Sequence, residues 1–326
     1  MFLKFQILFS SFRIALLFCL ISVTSYAQEQ PYSAKVASAV ETYAFLRGQS
    51  AALNEIAKQF PQLKPEVASA EKKMKGTFYR AEKNIEKFLQ SELQISHFKI
   101  LKKQIDSLLQ VQFKKPIEKE KYARDFLKKA NERVYAINDT ILHKRIMSFI
   151  YHDAPHEEIN DGHLNFFLTE NHPKAQKADL KIPVPKSWLA EEAESPQTIQ
   201  QFTSFNGTGI EKILLTAYDL PDHLDGITLN KKTVSEMLSP ESNLIRSEPA
   251  TIDDIPGMMI EVEEHFNIGD SPMKIRMLQF MFVQDKKLYC IQGSVGPVET
   301  KINLEMHLKK YEPLFRLIAA NTEIEN

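Results

Sequence analysis

Cysteine is almost absent from this sequence of 326 residues, since Cys19 and Cys290 are the only two. Cys19 falls in a predicted signal segment, so the mature chain keeps one cysteine, which excludes an intramolecular disulfide. We interpret Cys290 as a small buried hydrophobic residue on a strand. Tryptophan occurs once, as Trp188, and we interpret it as a core residue at the end of a strand.

Long hydrophobic runs are also scarce. The N-terminal run, Ile14–Val23, follows Lys4 and Arg13 and precedes small residues that end at Ala27. It is shorter than the roughly 17–25 residues that span a bilayer, and its flanks are typical of a signal peptide. We therefore predict that residues 1–27 are cleaved near Ala27 and that the protein is exported to the periplasm or beyond. No other segment predicts a transmembrane helix.

Motifs that carry catalytic chemistry are missing. No serine lies in a nucleophile-elbow context, and Asn206-Gly207-Thr208-Gly209 is too short and wrongly flanked for a phosphate-binding loop. Nothing in the pattern indicates a cofactor or nucleic acid. These features favour a protein that is not an enzyme.

The clearest fold signal is residues 257–295, which predict three antiparallel strands joined by two polar turns. Alternation from Met258 to Phe266 is typical of a strand with one buried face, so Glu261 and its acidic neighbours are expected on the solvated face. Beyond this meander, helical spacing around Pro313 predicts a bent or two-piece helix. A further hairpin is predicted around Asn206–Gly209, because Asn-Gly is a strong turn signal.

The N-terminal half has helical periodicity throughout. Helices are predicted over 33–60, from Glu66 towards Phe113 with a kink or a break near Ser91 and Ser96, over 122–137 and over 142–150. Short connections between amphipathic helices favour an antiparallel bundle, with an extended hairpin as the alternative. The predicted organisation is a helical domain at 28–151, a linker at 152–178 and an α+β domain at 179–326, in which helices cover an antiparallel sheet.

The α+β part resembles the PsbP-like fold, named for the extrinsic protein of photosystem II. The residues that carry the resemblance are Ile182–Trp188, the meander Met258–Val295 and the ending Tyr311–Ala319. The resemblance implies an adaptor or assembly factor without a shared catalytic motif, and fold alone does not fix function. The helical half lies outside it.

Charge divides the chain. Residues 28–150 carry 23 basic and 14 acidic side chains, a net of +9, whereas residues 151–326 carry 16 and 28, a net of −12. Such asymmetry is typical of association with an oppositely charged surface. The alternatives are docking of the two halves on each other and two solvated surfaces of different composition.

We therefore predict an exported binding or adaptor protein whose basic helical surface contacts a protein or an anionic envelope component. The residues predicted to form this surface are Lys72, Lys73, Lys75, Arg80, Lys83, Lys87, Lys102 and Lys103, with Lys114 and Lys115 beyond them.

The alternative function is that of a divalent-metal-binding protein or a metal-dependent enzyme. His152, His156 and His163 lie with four acidic residues within the segment 152–163. Imidazole and carboxylate groups are ligands for zinc and similar ions. The spacing matches no established motif, because the second histidine of the zinc-protease helix is replaced by Asn160.

Overall fold

The computed structural model describes residues 32–135, 140–175, 179–193, 195–222 and 226–324. The predicted signal peptide, 1–27, lies outside these residues. The described chain divides into two compact units. Unit 1 contains residues 32–75 and 85–132, and unit 2 contains residues 76–84 and 133–324.

Unit 1 is helical. Its helices are α1 (Ala34–Gln59), α2 (Lys64–Glu92, of which residues 76–84 belong to unit 2), α3 (Ile95–Gln112) and α4 (Glu120–Tyr135), with a short 3-10 turn at Pro61–Leu63. The break between α2 and α3 lies at Leu93 and Gln94, beside the predicted position.

Contacts within unit 1 show a helical bundle. Arg124 pairs with Glu66 and Lys73 donates to Asn131, and both pairs are 58 residues apart in sequence. Helices α2 and α4 therefore run in the same direction, with α3 returning between them. Buried apolar side chains such as Ile85, with no exposed area, supply the core of this unit.

Unit 2 contains the strands and the remaining helices. The helices are α5 (Ile141–Ile150), α6 (Glu157–Asn160), α7 (Lys231–Met237) and α8 (Glu305–Ala320). The strands are β1 (Leu164–Leu168), β2 (Leu180–Pro185), β3 (Leu189–Glu191), β4 (Thr198–Thr203), β5 (Glu211–Asp219), β6 (Ser242–Ile252), β7 (Ile255–Ile268), β8 (Ser271–Gln284), β9 (Lys287–Glu299) and β10 (Glu323–Ile324).

The described strands form two antiparallel sheets. The small sheet has the order β1-β2-β10, and the seven-stranded sheet has the order β3-β4-β5-β9-β8-β7-β6. The predicted meander is confirmed as β7, β8 and β9, and the predicted hairpin is confirmed as β4 and β5. The α+β fold class is therefore confirmed. Strand β6, which pairs with β7, was not predicted.

The predicted linker at 152–178 is wrong in its central part. Helix α6 and strand β1 lie there, and β1 pairs along its whole length with β2. Because Phe166 and Phe167 are adjacent, the segment lacks the alternation that marks a half-buried strand. Helix α5, predicted in the helical domain, belongs to unit 2, where the buried Phe149 packs edge-to-face on Phe205 with ring centroids 5.2 Å apart.

The C-terminal helix is a single element. Helix α8 continues through Pro313 from Glu305 to Ala320, so the predicted division into two pieces is wrong. The helix packs on the seven-stranded sheet at Gly293, where a Cβ atom would overlap the ring of Phe315. The lack of a side chain at this position allows close packing of helix and sheet.

Two apolar cores lie among the described residues of unit 2. The larger joins α8 to both sheets and includes Ile182 and Phe282, neither of which has exposed area. The smaller lies on the meander against Val234 of α7 and includes Cys290. Burial raises the pKa of the Cys290 thiol to about 12, so this cysteine is an unreactive core residue, as its strand position predicted.

Candidate functional site

The three predicted metal ligands lie around helix α6. His152 Nδ1 is 3.0 Å from Asp153 Oδ1, His156 precedes the helix, and the ring of His163 contacts that of Tyr151. In the part of the chain that the structure describes, no group of three or more His, Cys, Asp or Glu residues is arranged to hold a metal ion. The metal hypothesis stays a prediction, to be tested by elemental analysis of protein purified without a histidine tag.

The predicted basic residues lie on α2 and α3. Lys72 and Lys75 are exposed on α2, and Lys103 is exposed on α3. All three belong to unit 1, whereas Arg80 and Lys83 belong to unit 2. The buried stripe of α2 contains apolar side chains, so the exposed lysines face solvent.

Part of this positive charge is already paired. Within unit 2, Arg80 Nη2 lies 2.6 Å from Glu157 Oε2. Within unit 1, Lys102 Nζ lies 2.7 Å from Glu86 Oε1, and this hydrogen bond contributes to a lowered Glu86 pKa, against the opposing effect of burial. Half-exposed pairs of this kind contribute little to stability. They do reduce the charge available to a partner.

Sequence reasoning missed a buried polar cluster in unit 2. Glu158 of α6 is 2% exposed. It accepts hydrogen bonds of 2.7 Å from both the backbone N–H and the hydroxyl of Ser187. Burial raises the pKa of Glu158 to about 7, although the bonds from Ser187 and the charge of Lys186 act in the opposite direction.

A second buried carboxylate, Glu211, begins strand β5 and has no exposed area. His307 Nε2 of α8 lies 2.6 Å from Glu211 Oε1. The hydroxyls of Ser204 and Tyr311 also donate to this carboxylate. A buried carboxylate needs several hydrogen-bonding partners, because an unpaired charge is costly in a low-dielectric interior.

Tyr311 lies near both carboxylates. Its ring packs against Trp188 with centroids 6.4 Å apart. Burial raises its pKa well above the usual value, and the charges of Glu211 and Glu158 act in the same direction. We name the group formed by Glu158, Ser187, Ser204, Glu211, His307 and Tyr311 the Glu158–Glu211 cluster.

The loop between β4 and β5 positions Ser204 against Glu211. Phe205 and Asn206 have positive φ angles of 51° and 52°, which are uncommon for residues with side chains. A Cβ atom on Gly209 would overlap the Ser204 hydroxyl and lie 2.6 Å from Glu211 Oε2. The hairpin turn predicted from Asn-Gly therefore has a second role, since it closes the cluster.

The cavity beside the cluster is small. Its volume is about 10 Å³, and its walls include Glu158, Ser187, Phe205 and Tyr311. That is space for about one water molecule, not for a substrate. The Glu158–Glu211 cluster can therefore hold protons and buried charge inside the fold.

The acidic face of β7 differs from its prediction. Glu261 is 5% exposed rather than solvated. Arg276 Nε donates to it at 2.7 Å, and Arg246 of the neighbouring strand pairs with its other oxygen. Two arginines on flanking strands thus allow a carboxylate to be buried where alternation alone indicates a solvated position.

Comparison with known proteins gives likeness of fold. No protein-family model matches the chain, and no curated protein matches it in sequence. Solved structures similar to part of the chain include a cyanobacterial PsbP. Within the described residues, no helix combines the length and apolarity needed to cross a bilayer.

Three solved structures are similar over about half of the chain. The cyanobacterial PsbP of Synechocystis sp. PCC 6803 is 15% identical, with 50% of this chain and 92% of that chain covered and a TM-score of 0.32. LpqN, involved in cell envelope biogenesis of Mycobacterium tuberculosis, is 11% identical, with 52% and 95% covered and a TM-score of 0.31. A protein of Bacteroides thetaiotaomicron is 11% identical, with 50% and 49% covered and a TM-score of 0.31. At these TM-scores the likeness carries no argument about function.

Proposed function

We propose that this chain is an exported, non-enzymatic binding protein that attaches to an anionic component of the cell envelope through exposed lysines of unit 1. The observation that carries the proposal is the distribution of charge between the units. The described residues of unit 1 carry 18 basic and 11 acidic side chains, a net of +7. A surface of one sign attracts partners of the other sign and raises their rate of encounter.

The remaining chain has the opposite charge. Residues 76–84 and 133–326 carry 21 basic and 30 acidic side chains, a net of −9. The total charge of the chain is −1, so the chain as a whole is not expected to attract polyanions. Attachment to an anionic surface therefore depends on unit 1.

Within unit 1, the exposed lysines are the groups that a polyanion reaches. Lys72 and Lys75 lie three residues apart on α2, so their Cβ atoms are neighbours on one helix face, about 5–6 Å apart. Lys103 adds a third exposed charge on α3. The paired Lys102 contributes less, since Glu86 already neutralises it.

The test is co-sedimentation of the mature protein, residues 28–326, with native envelope fragments over a range of salt. Binding should weaken steeply as the Debye length falls from about 10 Å at 0.1 M to about 3 Å at 1 M salt. Binding that ignores salt would contradict the electrostatic proposal. If the protein does not bind at any salt concentration, the favoured explanation is that acidic residues of the same chain neutralise the basic residues. Capture of a single acidic protein would make the partner a protein instead.

Export is part of the proposal and has its own test. N-terminal sequencing of the protein recovered from the envelope fraction should begin at Gln28, the residue after the predicted cleavage site. An uncleaved N-terminus would contradict it.

A further inference from the structure

A groove between α1 and α3 in unit 1 is separate from the exposed lysines. Its volume is about 330 Å³, which is within the roughly 300–1,000 Å³ of small-molecule sites. The residues that line it are Arg47, Ser50, Ala51, Asn54, Glu55, Lys58, Asp106, Leu109, Gln110 and Phe113. They are contributed by the C-terminal half of α1 and by the end of α3.

The two helices are held at a fixed spacing beside the groove. Arg47 Nη2 of α1 lies 3.1 Å from Asp106 Oδ1 of α3. Earlier along both helices, four residues before Arg47 and eight before Asp106, the rings of Tyr43 and Phe98 pack with centroids 6.3 Å apart. The groove is therefore a feature of the packed bundle.

The lining excludes two classes of ligand. Only Ala51, Leu109 and Phe113 are apolar, so the groove does not suit an acyl chain, which needs a continuous apolar wall. The charged side chains are balanced and paired: Arg47 with Asp106, and Lys58 with Glu55 at 3.5 Å. An anionic ligand would gain little here, because each cation is adjacent to a carboxylate.

What the lining offers is neutral hydrogen bonding beside an aromatic ring. The amides of Asn54 and Gln110 and the hydroxyl of Ser50 each both donate and accept hydrogen bonds. The carboxylates of Glu55 and Asp106 add acceptors. A ligand with many hydroxyl or amide groups and no net charge complements this set.

We propose that the groove between α1 and α3 binds a neutral saccharide, with Asn54 and Gln110 bonding its hydroxyl or N-acetyl groups and Phe113 packing against a sugar ring. Saccharide hydroxyls match side chains that donate and accept at once, and the C–H face of a sugar ring suits an aromatic surface. The site does not depend on the lysines proposed to bind an anionic surface.

Calorimetric titration of the mature protein with chitotriose, maltotriose and cellotriose tests this proposal, with uncharged 1-octanol as the apolar probe. We expect at least one trisaccharide to bind, with little change between low and high salt because the ligand is neutral. Gln110→Ala should weaken that binding severalfold, up to about tenfold, as for loss of one hydrogen bond from an exposed side chain. Gln104→Ala is the matched control, because Gln104 is exposed on the same helix and does not line the groove.

The proposal is overturned if no trisaccharide binds at millimolar concentration, if 1-octanol binds instead, or if Gln104→Ala and Gln110→Ala weaken binding equally. Thermal unfolding of both variants confirms that each is folded. Failure here leaves the salt-dependent envelope binding untouched, and failure of the latter leaves the groove untouched.

Discussion

His307 Nε2 lies 2.6 Å from the carboxylate of Glu211, a glutamate with no exposed area. The two residues are 96 positions apart in sequence, so the contact joins the start of β5 to α8. Removing one partner of a buried hydrogen-bonded group is costly, because the other group stays desolvated without a partner. The contact adds a polar attachment of α8 to the sheet beside their shared apolar core.

We predict that His307→Ala lowers the free energy of unfolding by about 1–3 kcal/mol, because Glu211 stays buried but loses a hydrogen-bond partner. Urea denaturation measures this change. His265→Ala is the control, since the His265 side chain is 51% exposed beside Glu263, and it should change stability by less than about 0.5 kcal/mol. Equal effects of the two substitutions would contradict the role given to His307.

Glu158 should make stability fall as pH rises. Its pKa is about 7 in the folded protein against an ordinary value of 4.5, so the folded state binds its proton more tightly than the unfolded state does. The contribution of Glu158 to the free energy of unfolding is complete below about pH 4.5. It decreases as the pH rises towards 7 and changes no further above that pH. The shift corresponds to roughly 3 kcal/mol at most.

The variant Glu158→Gln isolates this effect. Glutamine resembles the protonated acid, so it keeps a carbonyl acceptor for the Ser187 N–H but cannot ionise. Urea denaturation at pH 5, 6, 7 and 8 should show stability decreasing more steeply for the natural protein than for the variant. Parallel curves would show that Glu158 ionises normally in the folded state.

Gly293 and Gly76 are predicted to respond to alanine in opposite directions. Gly293→Ala places a methyl group into the ring of Phe315 and should destabilise by about 1–3 kcal/mol or more through overpacking. Gly76 lies in α2, and a Cβ there meets nothing within 4 Å. Gly76→Ala should therefore stabilise by about 0.5–1 kcal/mol through helix propensity. Thermal unfolding of both variants measures the difference, and destabilisation by both would contradict the stated packing.

The regular helices and strands could be predicted because buried residues recur at a constant spacing along each of them. Strands β7, β8 and β9 alternate or are apolar throughout, and the helices of unit 1 repeat every three or four residues. Strand β6 could not be found in this way. It is an edge strand with a bulge between Leu244 and Arg246, so its pattern shifts by one residue within the strand.

The Glu158–Glu211 cluster could not be predicted because its members are far apart in sequence and their local patterns indicate exposed residues. Glu158 lies in a segment rich in acids, where a polar loop is the simplest expectation. Its burial depends on Ser187, 29 residues later. The one local signal was Gly209, next to a turn that already contained Gly207. A glycine beside a turn marks a position where another part of the chain comes too close for a Cβ atom.

The central claim is that exposed lysines of unit 1 bind an anionic envelope component. Its most direct test compares the variant Lys72→Gln, Lys75→Gln, Lys103→Gln with the variant Lys64→Gln, Lys121→Gln, Lys128→Gln, which removes equal charge from other exposed positions of unit 1. Both are measured by co-sedimentation with native envelope fragments at about 0.1 M salt, where the Debye length is about 10 Å. The account predicts a loss of binding of about tenfold or more for the first variant and a small change for the second, because Coulombic attraction acts over short distances in salt solution. Equal binding by the two variants, or undiminished binding by the first, would contradict it.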